Sequence, residues 1–137
     1  MKSTHDLPLE LIAAHRDGAT QRADWLTGAE HELLAVDADG RAPKFDGDQG
    51  IERVLLGIGS EVAGLDGMEE RGRIIALKGR GGSVTLEPGG QVELSGAAHK
   101  DLHALASETQ CYQSALERVA EDLGLRFFAM GLRPVLP

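Results

Sequence analysis

Residues 83–96 read Ser-Val-Thr-Leu-Glu-Pro-Gly-Gly-Gln-Val-Glu-Leu-Ser-Gly and set two acidic side chains, Glu87 and Glu93, around a Pro-Gly-Gly interruption in otherwise strand-like sequence. Val84, Thr85 and Leu86 favour extended backbone, and Val92 and Leu94 alternate with Gln91, Glu93 and Ser95 as in a half-buried strand. Pro88 removes a ladder donor and the paired glycines permit unusual dihedrals, so residues 88–90 are expected to form a bulge or kink where backbone and ligand approach closely. A second acidic pair lies upstream. Glu30 and Glu32, ahead of Leu33-Leu34-Ala35-Val36, share one face of a strand from which His31 points away. Taken alone, the Glu87/Glu93 pair reads most simply as solvated glutamates on a hairpin. If both pairs face one cleft, four carboxylates repel one another and hold raised pKa values unless a cation neutralises them. An all-oxygen donor set then suits a hard divalent ion, with Mg2+ the natural candidate.

The elements that must position these acids follow from the spacing of apolar residues. Asp6 can cap a first helix that has Pro8 near its start and a packing stripe of Leu7, Leu11, Ile12 and Ala14 or His15, ending near Gly18. Trp25 and Leu26 lead into the Glu30/Glu32 strand. Asp37-Ala38-Asp39-Gly40 after it is turn chemistry, because the remaining spaced ligands of a calcium loop are missing. From Asp48, the residues Ile51, Val54, Leu55, Ile58 and Val62 recur at helical spacing, and Gly57 and Gly59 permit close packing of that helix. Residues 64–72 read as a connector, and 73–77 and 83–87 as a hairpin joined by Lys78-Gly79-Arg80-Gly81-Gly82. This joint lacks the lysine followed by Ser or Thr of a phosphate loop, although Arg80 could point toward a nucleotide phosphate. A long helix over 99–123 carries Leu102, Leu105, Tyr112, Leu116, Val119 and Leu123 on a stripe that covers one sheet face; it stops at Gly124, and 125–130 forms a last strand. The expected fold class is α+β, an antiparallel sheet covered by helices.

Composition bounds what such a domain can do. A chain of 137 residues with 42% hydrophobic residues and five prolines fits one globular domain with a modest core. Its net charge of −8 argues against nucleic acid or an anionic membrane as a nonspecific partner. No apolar run approaches the roughly 18 residues of a membrane span, and residues 1–6 lack an apolar signal core, so the expected location is cytoplasmic. Cys111, the single cysteine, excludes an internal disulfide and a cysteine-based zinc cluster and reads as a small packing residue. His15 stands without a second metal-type residue at helical spacing and reads as a surface or boundary histidine, and His103, on a helix bordering the sheet, reads as a satisfied structural residue.

Several of these stretches together resemble glutamate–cysteine ligase, most closely its plant and proteobacterial form. The resemblance is carried by Gly28-Ala29-Glu30-His31-Glu32, by Ile74-Ile75-Ala76-Leu77 and by the long element from Thr85 to Gly96. Leu102-His103, the run Val119-Ala120-Glu121-Asp122-Leu123-Gly124-Leu125 and Gly131-x-x-Pro134 add to it. It implies a portion of a glutamine-synthetase-like catalytic fold and an ATP-dependent ligation of the γ-carboxylate of glutamate to the amine of cysteine, through an acyl phosphate, at the first step of glutathione biosynthesis. By the same resemblance Glu30, Glu32, Glu87 and Glu93 are expected as Mg2+ ligands, directly or through water. Gln91 and the Gly89-Gly90 backbone are expected to line the glutamate or nucleotide side. Ala29 stands where the family pattern has Thr and Val92 where it often has Phe, departures that bear on site shape. Family members continue well beyond Pro134, so residues 1–137 are expected to be a single, incomplete N-terminal portion of the catalytic domain, inactive alone and completed by a C-terminal chain. Two alternatives stay open: another ATP-dependent carboxylate–amine ligase, and a noncatalytic metal-binding or assembly domain derived from one.

Overall fold

The computed structural model describes residues 9–132, and they form an α+β layer in which two helices cover one face of a six-stranded antiparallel sheet. The strands are β1 (Glu30–Val36), β2 (Leu65–Glu70), β3 (Arg73–Gly79), β4 (Gly82–Glu87), β5 (Gln91–Ser95) and β6 (Arg126–Phe128), in the spatial order β2-β3-β4-β5-β1-β6. The helices are α1 (Leu9–Asp17), α2 (Ile51–Glu61) and α3 (Leu102–Leu123). Among the described residues no helix is long and apolar enough to cross a membrane.

Strand alternation decides which residues enter the core. Ala35 of β1, Leu77 of β3, Val84 of β4 and Val92 and Leu94 of β5 all point to the helix side, where they pack with Ile51, Val54, Leu55 and Ile58 of α2 and Tyr112, Leu116 and Val119 of α3. The α2 residues lie at three-and-four spacing, which puts them on one stripe. Its glycines work as expected: a Cβ on Gly57 would lie 2.7 Å from Val119 Cγ2, and one on Gly59 would lie 3.2 Å from Leu77 Cδ2, so both helix contacts depend on a missing side chain. At the start of α3, Asp101 Oδ1 accepts the backbone N–H groups of His103 and Ala104, both at 2.9 Å; Gly124, at φ 65°, closes the other end. Tyr112 is almost fully buried with a hydroxyl that has no hydrogen-bond partner among the described residues, and that burial pushes its pKa up.

Several expectations change. Residues 65–70 are not connector but β2, a strand whose polar sequence hides it and which pairs along β3 from Leu65↔Gly79 to Glu70↔Arg73. A register shift between Met68 and Glu69 leaves Ile75 as the extra residue of a bulge. The Pro-Gly-Gly interruption is a hairpin turn and not a kink within a strand. Glu87 pairs with Gln91, Gly90 N–H donates to Glu87 O at 3.1 Å, and Gly89 and Gly90 take φ 85° and 78°. Proline second and a positive-φ glycine third is the chemistry of a type II turn. The long helix begins at Leu102, later than expected, and Leu102 itself is exposed. Cys111 is exposed too, so it is no packing residue. None of the residues of α1 is buried, and its expected cap Asp6, like Leu7, Pro8 and Pro134, lies outside the described residues.

Candidate acidic site on the open sheet face

The face of the sheet opposite α2 and α3 carries the acids. Glu32 of β1 stands directly across from Glu93 of β5, and Glu93 from Thr85 of β4. One row along, Glu30 faces Ser95 and Ser95 faces Ser83; in the other direction Leu34 faces Gln91 and Gln91 faces Glu87. Residues paired across antiparallel strands share a face. Glu30, Glu32, Glu87, Glu93 and Gln91 are therefore on one surface, with Ser83, Thr85 and Ser95 between them. His31, as expected, points away, and its Nε2 lies 3.2 Å from Thr109 Oγ1 of α3.

Polar contacts within the face orient two of the acids. Gln91 Nε2 donates to Glu32 Oε2 at 3.0 Å, and Ser95 Oγ donates to Glu93 Oε1 at 3.2 Å. Glu87 is held above the ordinary carboxylate range. The main cause is its hydrogen bond to Glu93, followed by desolvation and then by the negative charges of Glu93, Glu32 and Glu30. The other three carboxylates thus all act on Glu87. Among the described residues, the ion pairs fall elsewhere, at Asp39, Asp46, Glu52, Glu61, Glu70 and Glu108. As the side chains stand, no three His, Cys, Asp or Glu groups among the described residues converge into a ready cage for an ion. What they form is an open, uncompensated row of oxygen donors, a donor set that fits a hard divalent cation such as Mg2+.

The Gly89–Gly90 turn borders this row at the Glu87 end. Arg80 is at the opposite end, in the turn between β3 and β4, nearer the Ser83–Ser95–Glu30 row. Sequence reasoning missed Ser83, Thr85 and Ser95, which the same two-residue alternation that placed Glu87 and Glu93 would have found. It also missed Leu34, buried on the acidic face beside its β6 partner Phe128.

The raised state of Glu87 has a measurable sign. A carboxyl whose folded pKa exceeds its ordinary value of 4.5 binds its proton more tightly in the folded chain, so that stabilisation is complete below the ordinary value and is lost as pH rises through the folded one. In chelator-treated buffer the urea midpoint is expected to fall as pH climbs through that window, and Glu87→Gln to flatten the fall. Parallel curves for the two proteins would show that Glu87 does not carry the effect.

Comparison with known proteins sets this face in a family of ligases. Residues 26–137 match the model of Glutamate-cysteine ligase family 2 (GCS2), and the chain belongs to that family. It is 35% identical over 125 residues to a chloroplastic glutamate–cysteine ligase of Brassica juncea, covering 91% of this chain and 24% of the relative. Glutamate–cysteine ligase A, chloroplastic, of Oryza sativa subsp. japonica is 33% identical, and the chloroplastic enzyme of Arabidopsis thaliana 34%, each over 91% of this chain and 25% and 23% of the relative. The chain spans about a quarter of the length of these relatives. Their names also overturn the cytoplasmic expectation: the relatives are named as chloroplastic proteins, and the lack of an apolar run at residues 1–6 said nothing about compartment.

Proposed function

We propose that this chain supplies the acidic part of the active site of an ATP-dependent glutamate–cysteine ligase, which joins the γ-carboxylate of glutamate to the amine of cysteine in glutathione synthesis. The observation that carries this reading is the row of four carboxylates on the open face of a chain of this family, three of which raise the pKa of the fourth, Glu87. Glu30, Glu32, Glu87 and Glu93 hold Mg2+ directly or through water, and relief of their repulsion supplies part of the binding energy. Gln91 fixes the Glu32 carboxylate through its 3.0 Å hydrogen bond and, with the Gly89–Gly90 backbone, borders the glutamate or nucleotide. Magnesium, when bound, neutralises and orients the phosphates of ATP during phosphoryl transfer. The sheet is part of a glutamine-synthetase-like catalytic fold, and cationic groups that grip glutamate come from sequence outside this chain or from a complementing one.

The test is an ADP-release assay on the complete enzyme that contains this chain, with glutamate and Mg2+ present and the amine varied. Release that depends on cysteine is the expected result. Release that prefers another amine would assign the chain to a different carboxylate–amine ligase, and no release with any amine would leave it a noncatalytic descendant.

A further inference from the structure

The Glu30 end of the acidic row is tied to the helix layer by a clasp. Thr27 N–H donates to His99 O at 2.8 Å, His99 N–H returns to Thr27 O at 2.9 Å, and Gly96 N–H donates to Ala29 O at 2.9 Å. The segment leaving β5 is thereby buckled to the segment entering β1. Glu108, two turns into α3, closes this clasp from the far side of the sheet. Both its carboxylate oxygens accept the Ala97 N–H, at 3.0 and 3.2 Å. Its Oε2 also lies 3.2 Å from His99 Nε2, near enough to pair with an imidazolium, though without hydrogen-bond alignment. A Cβ on Gly96 would run into Glu108 Oε2 and lie 3.1 Å from Ala29 O, so the carboxylate occupies the volume that a side chain at residue 96 would need.

We propose that Glu108 is a positioning residue for the acidic face. It pins residues 96–99 against the entry to β1 and so fixes Glu30 at the end of the row. Two observations separate this from ordinary helix packing. The carboxylate, only 24% exposed, bonds a backbone N–H of the strap that follows β5, and the clasp it closes ends one residue before Glu30. A carboxylate that orients a metal ligand through an intervening segment acts as outer-shell partners do at metal centres, where their loss weakens binding about 10- to 100-fold. The inference rests on the reading of the acidic face as a divalent-cation site.

The test uses the full 137-residue chain, Mn2+ as a paramagnetic probe for a hard divalent ion, and amide hydrogen exchange as a readout that needs no metal. Glu108→Ala is expected to speed exchange at Gly96, Thr27 and His99 by at least about 10-fold while residues 112–119 of α3 keep their protection. It is also expected to weaken Mn2+ binding about 10-fold. Glu108→Gln, which keeps an acceptor oxygen for Ala97, is expected to restore both. Unchanged exchange in Glu108→Ala overturns the proposal, and so does an opened clasp with Mn2+ affinity intact. Failure of the underlying site reading looks different: the unsubstituted chain would not bind Mn2+, or would bind it equally well after Glu87→Gln and Glu93→Gln. The exchange pattern would still decide whether Glu108 holds the entry to β1.

Discussion

Replacing Glu93 with Gln in the complete enzyme is expected to lower Mg2+-dependent turnover by at least about 100-fold, the loss typical when a preorganised electrostatic group is removed from a transition state. Glu93 is the centre of the acidic face. It stands opposite Glu32 on one side and Thr85 on the other, accepts the Ser95 hydroxyl, and is the largest influence on Glu87. Gln is nearly isosteric and still accepts that hydroxyl, so the strand and its pairing survive while the charge is lost. Glu87→Gln is expected to act in the same direction. Turnover measured across an Mg2+ titration, with thermal melts to confirm folding, gives the answer. Turnover within a few-fold of the unsubstituted enzyme in both variants would remove these residues from the chemistry.

The second large effect lies on the opposite side of the same strands. Leu55→Ala is expected to cost about 2–5 kcal/mol, because Leu55 is fully buried and the two helices and the sheet around it cannot collapse freely into the space it leaves. A domain of this size has a total stability of about 5–15 kcal/mol, so that one substitution consumes a large share. The neighbouring Leu56 is 40% exposed, and Leu56→Ala is expected to stay within roughly 1 kcal/mol. Urea unfolding of the two variants checks the contrast; equal losses would mean that α2 is not seated as described. The site depends on this core directly. Val92 lies between Gln91 and Glu93, and Val84 and Leu94 occupy the alternate positions of β4 and β5, two of the three acid-bearing strands, so the surface that presents the carboxylates is the reverse of the surface that α2 and α3 cover.

Where a pattern had a period, the sequence was legible. The β1 face, the α2 stripe, the Asp37 turn and the end of α3 at Gly124 all follow from local rules, and the turn is completed by Asp37 Oδ1 accepting from Asp39 N–H at 3.0 Å and Arg41 N–H at 2.8 Å. β2 was not legible, because Leu-Asp-Gly-Met-Glu-Glu has neither β-branched residues nor alternation and is a strand only through its ladder to β3. The Pro-Gly-Gly element was read as a kink because the same residues serve bulges and turns; only the Glu87↔Gln91 pairing distinguishes the two. The four acids could be named from the sequence, while their sharing of one face required the register of β1 against β5, a contact between residues about sixty positions apart. Glu108 was beyond reach for a different reason: its partner Ala97, only 11 positions away, is in a strap without any periodic signal.

The two borders of the sheet differ in kind. β2 ends it on one side with Asp66, Glu69 and Glu70 and a bulge that breaks the regular spacing, so two copies approaching through that border would press like charges together. Among the described residues, β6 ends it on the other with three residues that pair with Leu34, Ala35 and Val36 of β1, beside the exposed apolar side chains of Phe128 and Met130. Growth of the sheet therefore has a direction: one border is guarded and the other is permissive. Because the guard is ionic, its range contracts as salt is added, from about 10 Å at 0.1 M to about 3 Å at 1 M. The bulge, which is a matter of backbone register, persists at any ionic strength.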